Sequence, residues 1–381
     1  MDTSTKSVWQ ISTFNSFVKM FIVGINFFWA IYYNSIGFTG TQIGIIVAVS
    51  SLMGFVTTLP SGFMNDKIKS RDLISIALLL LAGWFVGISL IPTFPAVIFF
   101  TILGGIGSNL YASSSDSLFY KSTEKENLSK KIAIYQSLNY IMIALGIILS
   151  GVILNFNIPF QELIFAVGIL FVIFAVIARI LPKSITTDFK LVKYESDILQ
   201  PKVLFFLFIV FLFSIHYGAE NTTYGLFLQK NLGLNSQMSG LYMGLSILSM
   251  GATAIIFSRM IKRIKVKFLL FIGLILSGIG HILMTVQDPV LSFIFRALHE
   301  TGDAAFFVFL AYGITSIFDL KRMGGNTGIV AFVSIIGSTI SSFIFGVIGE
   351  KYGYNVPLVG TGVVLLTGLL IALIFNRLII K

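Results

Sequence analysis

The 381-residue chain contains no cysteine at all, which excludes disulfide staples and thiolate metal sites and leaves the redox compartment undetermined. Charge is almost as scarce. Only 11% of residues are Asp, Glu, Lys or Arg, against about a quarter in a soluble domain, so the chain cannot clothe itself in a water-facing surface. Histidine occurs three times and tryptophan three times. The N-terminal ten residues carry no basic stretch followed by a short apolar run, so no cleavable signal peptide is expected and the first hydrophobic span serves as the insertion signal. No HExxH, no GxSxG in a strand-turn setting, no phosphate-binding Gly-rich loop and no large polar domain is present, which speaks against an enzyme and against ATP-driven transport, and leaves an integral-membrane enzyme using Glu and His residues within the spans as the different-class alternative.

What is there is hydrophobic. Apolar residues make up 56% of the chain, 38 of them Phe, and the mean hydropathy is +0.94. Windows of about 20 apolar residues, enough to cross ~30 Å of hydrocarbon, fall near 12–35, 42–64, 72–91, 95–120, 131–154 and 162–181. A second set falls near 203–229, 237–258, 268–286, 289–318, 326–349 and 357–376. Turn residues mark the joins, as in Ile91-Pro92-Thr93-Phe94-Pro95 and Gln287-Asp288-Pro289. The expected fold is an all-α integral membrane protein of 12 transmembrane helices in two pseudo-symmetric six-helix lobes, 1–181 and 203–381, with a cytoplasmic linker at 182–202.

The net charge of +10 could suggest nucleic acid, but its distribution does not. With the N-terminus inside, Lys230 and Lys351 alone fall on the outer side and Arg296 falls inside a span. The other basic residues fall on the inner side, counting Lys19, which is near enough to the edge to snorkel. The expectation is a multi-pass plasma-membrane protein with both termini cytoplasmic, working as a monomer in the lipid bilayer on a small-molecule substrate, with no nucleic acid partner and no cofactor beyond protons.

The halves also repeat. At an offset of 196 positions, Arg263-Ile264-Lys265-Val266-Lys267 stands where Lys67 to Arg71 stood, Leu232-Gly233 answers Ile36-Gly37, and Gly240 answers Gly44. Twelve spans, a six-plus-six repeat and the turn Gly62-Phe63-Met64-Asn65-Asp66-Lys67-Ile68-Lys69-Ser70-Arg71 resemble the major facilitator superfamily. Gly62, Asp66, Lys67, Lys69 and Arg71 match its signature turn after the second span; its second Gly is absent. Gly62 would let another helix approach closely. Asp66 suits a helix N-terminus, and the resemblance implies that of the eleventh span after Gly324-Gly325, so that Gly62, Asp66, Lys67 and Arg71 would form a conformational latch. Within the family, the drug/proton-antiporter branch is the subtype the resemblance suggests. Its fifth-span Gly-Pro pair is missing, and Gly146 and Gly151 read as packing glycines, as do Gly104, Gly105 and Gly107 in the fourth span.

An ionisable side chain inside a span costs at least ~2.5–3.5 kcal/mol and is a functional candidate by default. In the tenth span Arg296, His299, Glu300 and Asp303 share one helical face. In the seventh, His216 and Glu220 repeat the i, i+4 spacing, with Thr223 and Tyr224 a turn further on. The resemblance places both spans, with the first and fourth, around a central cavity. Glu220, Glu300 and Asp303 are the candidates for proton coupling, with His216 and His299 able to titrate near neutrality and Arg296 as countercharge. A structural ion network is the competing reading. A divalent-metal transporter using His216, Glu220, His299 and Asp303 is the alternative function. His281, in a span the family holds peripheral, is expected to pack.

The first lobe is poorer in charge. Asn15, Lys19 and Asn26 share a face of span one, and Asn109, Ser113 and Asp116 share one of span four. Asn26 and Asn109, with Thr223 and Tyr224, are the candidates for the substrate cavity, whereas Asp116 is expected at the interface and Gln136, Asn139 and Tyr140 as helix glue. The functional expectation is a secondary active transporter of a small organic or amphipathic solute, proton-coupled, with export favoured.

Overall fold

The computed structural model describes residues 3–122, 128–182, 199–260, 264–317 and 323–379. Most of the linker expected at 182–202 lies outside these. Among the described residues the structure is helical throughout: α1 (Thr3–Asn26), α2 (Trp29–Ser35), α3 (Gly40–Lys67), α4 (Ser70–Leu90), α5 (Phe94–Lys121), α6 (Leu128–Asn155) and α7 (Phe160–Ala178). Then come α8 (Pro201–Ala219), which runs on through two π-helical turns at Glu220–Tyr224 and Phe227–Asn231, α9 (Ser236–Met260) and α10 (Val266–Leu283). The chain ends with α11 (Pro289–Ile317), α12 (Met323–Tyr352) and α13 (Asn355–Ile374).

Among the described residues eleven helices are long and apolar enough to cross a membrane, with α1 and α2 joined as one span, Ser7–Ser35. The tenth expected span is a helix of 29 residues, Pro289–Ile317, outside that set; it carries Arg296, Glu300 and Asp303.

The repeat is written into the backbone. Among the described residues four have positive φ: Gly37, Asn157, Gly233 and Gly353. They form two pairs, Gly37 with Gly233 and Asn157 with Gly353, each 196 positions apart. Both positions want a left-handed turn, which glycine and, less readily, asparagine supply. Lys69 and Lys265, the same distance apart, precede α4 and α10 with nearly equal dihedrals, φ −60 and ψ 124 against φ −63 and ψ 133.

Contacts divide the chain into two units, Met1–Tyr32 with Val49–Leu191 and Ser236–Gly244, and Tyr33–Ala48 with Val192–Asn235 and Leu245–Lys381. Each unit takes the first nine residues of one helix from the other sequence half, Gly40–Ala48 of α3 and Ser236–Gly244 of α9, again at the offset of 196. In unit 1 the core holds an aromatic group in which Trp29 stacks on Trp84 at 5.2 Å and Tyr32 on Phe160 at 4.6 Å. In unit 2, Phe213 and Phe306 stack at 3.5 Å within a core built from α8, α10, α11 and α13.

Close approach of α10 to α11 sets the register of the site described next. A Cβ on Gly280 would lie 2.5 Å from the backbone nitrogen of His299 and 2.7 Å from its Cα, and backbone cannot move aside cheaply. We expect Gly280→Val to lower the thermal midpoint of the purified protein by several degrees, since overpacking costs about 1–3 kcal/mol. An unchanged midpoint would show that the helices do not need this approach.

The latch residues are only partly described. Among the described residues, nothing lies within 4 Å of the position a Cβ on Gly62 would take. Lys67 is exposed, and Arg71 donates through Nη1 to the Leu181 carbonyl at 3.2 Å. The side chain of Asp66 and the residues around Gly324-Gly325 that would receive it lie outside the described side chains. Gly146 and Gly151 do pack: their Cβ positions run into α1 at Met20 and into α9 at Ser236 and Gly240.

Candidate functional site

In unit 2 every ionisable side chain singled out in the seventh and tenth spans meets the others in one buried cluster. Arg296, Glu300, His299, Asp303 and His216 are each 4% exposed or less, and Glu220 retains 16% side-chain exposure. The guanidinium of Arg296 bridges two helices. Its Nη1 donates to Glu220 Oε1 on α8, and its Nη2 donates to Glu300 Oε1 at 2.7 Å, one turn along α11. The Tyr224 ring lies 4.5 Å from the guanidinium carbon, so this cavity candidate packs on the coupling candidates.

The π turn helps to set this up. Glu220 is its first residue, and the hydroxyls of Thr222 and Thr223 donate to the Gly218 and Ala219 carbonyls, each at 2.7 Å. Side-chain hydroxyls thus satisfy carbonyls at the point where the α-helical ladder loosens, and a wider turn re-aims the residues beyond it. Thr223 is accordingly committed to its own helix.

His281 departs from the peripheral place that the family resemblance implied for it. Expected to pack peripherally, it is fully buried inside the cluster, with its ring 4.7 Å from that of His299 and 5.6 Å from that of His216. The reason is that α10 lies against α11 through Gly280 and Gly302 and turns its Ser277–His281 face inward. That i, i+4 polar pair on an otherwise apolar helix was the available signal.

The three histidines share one hydrogen-bond pattern. Nδ1 of each meets a main-chain carbonyl: Phe213 for His216, Leu358 at 2.9 Å for His281, and Ser277 at 3.0 Å for His299. Nε2 of each faces a carboxylate: Asp303 Oδ2 at 3.2 Å, Glu220 Oε1 at 3.3 Å and Glu220 Oε1 at 3.1 Å, respectively. A carbonyl only accepts, so it fixes the Nδ1–H tautomer. A carboxylate also only accepts when ionised, so the Nε2 hydrogen bonds of His216 and His281 are complete only with a second proton on the ring or one on the carboxyl group, while His299 Nε2 is buried 3.1 Å from Glu220 Oε1 without a hydrogen bond. Asp303 further accepts from Ser277 Oγ at 2.6 Å and stands 3.6 Å from His299 Nε2.

Charge counting sharpens this. Three carboxylates face one guanidinium, so with neutral imidazoles the cluster holds two uncompensated negative charges. Burial makes such an imbalance costly, and protons or a divalent cation would correct it. His216, His299 and Asp303 offer ligand atoms within 4.8 Å of one another, as do Glu220, His281 and His299. The guanidinium bonded to the same Glu220 oxygen opposes a metal ion in the second set.

The first-lobe candidates separate. Asn26 is exposed at the end of α1. Asn109 gives its amide nitrogen to α3, reaching the Gly54 carbonyl at 2.5 Å and the hydroxyls of Thr57 and Thr58 at 2.9 Å each. Asn15 is buried in a second polar network with Tyr111, Tyr135 and Asn139, and Lys19 lies beside it.

Helices of membrane-spanning length, among them those that carry this buried cluster, define a polytopic membrane protein. The family model of the Major Facilitator Superfamily matches residues 11–227 and again 206–378, and the chain belongs to that superfamily. It is a multi-pass membrane protein and a secondary transporter of a small-molecule substrate. Among solved structures, a bacterial homologue of the human lysosomal transporter Spinster, in an inward-facing, unoccupied conformation, matches with a TM-score of 0.84 at 11% identity, covering 99% of this chain and 98% of that one. The nucleoside transporter NupG matches at 0.77 and 11% identity over 99% and 100% of the two chains. A POT family transporter bound to a thioalcohol-conjugated peptide matches at 0.76 and 14% over 99% and 96%. At these identities the likeness is one of fold. No curated protein matches the chain in sequence.

Proposed function

We propose that the chain is a proton-coupled transporter of a small organic or amphipathic solute, working as a monomer in the plasma membrane with both termini cytoplasmic. Export is the favoured direction. Coupling belongs to the unit 2 cluster and solute contacts to unit 1. The observation that carries this reading is the set of three tautomer-fixed histidines aimed at carboxylates that one arginine cannot neutralise. Such a cluster has places for protons and an electrostatic reason to bind and release them as access to it changes. Glu220, Glu300 and Asp303 are the carboxylates that exchange, His216, His281 and His299 relay, and Arg296 keeps the empty state from becoming prohibitively charged.

The second reading is a divalent-metal transporter. The convergence of His216, His299 and Asp303 favours it, and the guanidinium beside Glu220 opposes it.

The test is proton movement in proteoliposomes loaded with a pH-sensitive dye and challenged with a mixed solute panel that includes divalent metals. Solute-dependent proton flux is expected in the native protein and should vanish in Glu220→Gln and Glu300→Gln. Flux that survives both substitutions would remove these groups from coupling. A response to metals alone would transfer the site to the second reading.

A further inference from the structure

The polar network of unit 1 has features that helix packing does not need. Asp116 of α5 is exposed although it lies within a span, five residues or about 7.5 Å of helix from the span's end at Lys121. Lys19 of α1 is half-buried within another span. Opposite charges on either side of one side chain inside a membrane would ordinarily pair. Among the described residues no ion pair joins them. Tyr135 of α6 stands between instead: its hydroxyl donates to Asp116 Oδ1 at 2.8 Å, and the Lys19 ammonium lies 5.7 Å from the centre of its ring.

Tyr135 is held firmly in that position. Asn15 donates to its hydroxyl at 2.8 Å, which turns the hydroxyl proton toward Asp116. Asn15 in turn accepts from Tyr111 at 2.9 Å and donates to Asn139 Oδ1 at 3.1 Å. Phe119 stacks on the Tyr135 ring at 4.2 Å. Two polar valences are left over. Asp116 Oδ2 has no described partner, and the amide nitrogen of Asn139, a residue only 2% exposed, is buried without an acceptor. The site is electrically neutral overall and has two separated poles.

We propose that Lys19 and Asp116 form the two ends of a solute site whose substrate class is the small zwitterion, one carboxylate and one ammonium on a compact body. The solute carboxylate meets Lys19 and its ammonium meets Asp116 Oδ2, on the carboxylate that the buried Tyr135 hydroxyl orients. A neutral site with opposed poles favours a neutral solute with opposed poles, and disfavours a plain anion or cation that would satisfy one end and strand the other. This rests on the transporter reading and names the substrate that reading leaves open.

The experiment is equilibrium binding to the purified full-length protein, read as thermal stabilisation and by calorimetry, with no gradient present. The probes are leucine, phenylalanine and dialanine, each compared with its N-acetylated and its C-amidated form. The free zwitterions should bind, and each cap should weaken binding on the order of tenfold to a hundredfold, the effect of losing one charged hydrogen bond. Asp116→Asn should erase the penalty for N-acetylation only, and Lys19→Gln the penalty for amidation only. Capped and free forms binding alike in the native protein would overturn the proposal without any variant. So would binding of no zwitterion, or variants that keep both penalties. Because binding needs no proton flux, a failed coupling experiment and a failed solute site are separately visible.

Discussion

Arg296→Met should be the most destabilising single substitution in the chain that leaves backbone geometry untouched. The methionine approximates the arginine stem and keeps contact with the Tyr224 ring and Met284, whose sulfur lies 3.9 Å from the guanidinium. What disappears is the cation between Glu220 and Glu300. Glu220 is then left with the imidazoles of His281 and His299, and the buried Glu300 loses the one ion-pair partner described for it; stranding one partner of a buried pair costs about 3–5 kcal/mol. The expected result is a thermal midpoint well below that of Gly280→Val, or loss of folded protein in detergent. Arg296→Met combined with Glu220→Gln removes one of the stranded charges and should recover part of the loss, which separates an electrostatic cause from a packing one. A single variant as stable as the native protein would mean that the guanidinium is not needed to balance the cluster. A double variant no better than the single would place the damage in packing.

The sequence made the outline of this site legible and hid its centre. Arg296, His299, Glu300 and Asp303 were readable because 3.6-residue periodicity puts them on one face, and His216 with Glu220 because the same spacing recurs. Periodicity works within a helix. It is silent on which face of a neighbouring helix turns inward, and that is where His281 was lost. Its place depends on two glycines, Gly280 and Gly302, that bring α10 against α11, a long-range packing fact with no local signature. The π turn at Glu220 was equally hidden, since Thr223 reads as a cavity residue and Thr222 as an ordinary span residue until their hydroxyls are seen taking carbonyls from the ladder. The repeat was the easier problem. Left-handed turns and basic helix starts are short-range demands, so Gly37 with Gly233 and Lys69 with Lys265 show at the same offset in letters and in dihedrals. In the first half, Asn109 read as a solute contact because an amide in a span invites that role, but Thr57 and Thr58 on α3 were positioned to take it first.

Asp303→Asn should separate transport from its driving force more cleanly than any other change. Among the described residues Asp303 is the only carboxylate in contact with His216; it stands within reach of His299 and holds Ser277 of α10. Asparagine has nearly the same shape and can still accept from Ser277, so the helices keep their places. It cannot balance a protonated imidazole, and losing a charged hydrogen bond of this kind is worth about 1.5–3 kcal/mol. The proton-loaded state therefore becomes on the order of ten- to a hundredfold harder to populate, and solute movement driven by a pH gradient should fall by that factor. Counterflow, in which labelled and unlabelled solute exchange across the membrane with no net proton movement, needs only that the loaded carrier reorient. It should stay within about twofold of the native rate, because the barrier to reorientation does not include proton release. Gradient-driven transport unchanged by Asp303→Asn would make the cluster a structural brace. A proportional loss of both activities would mean that Asp303 holds α8, α10 and α11 together and that the proton is carried elsewhere.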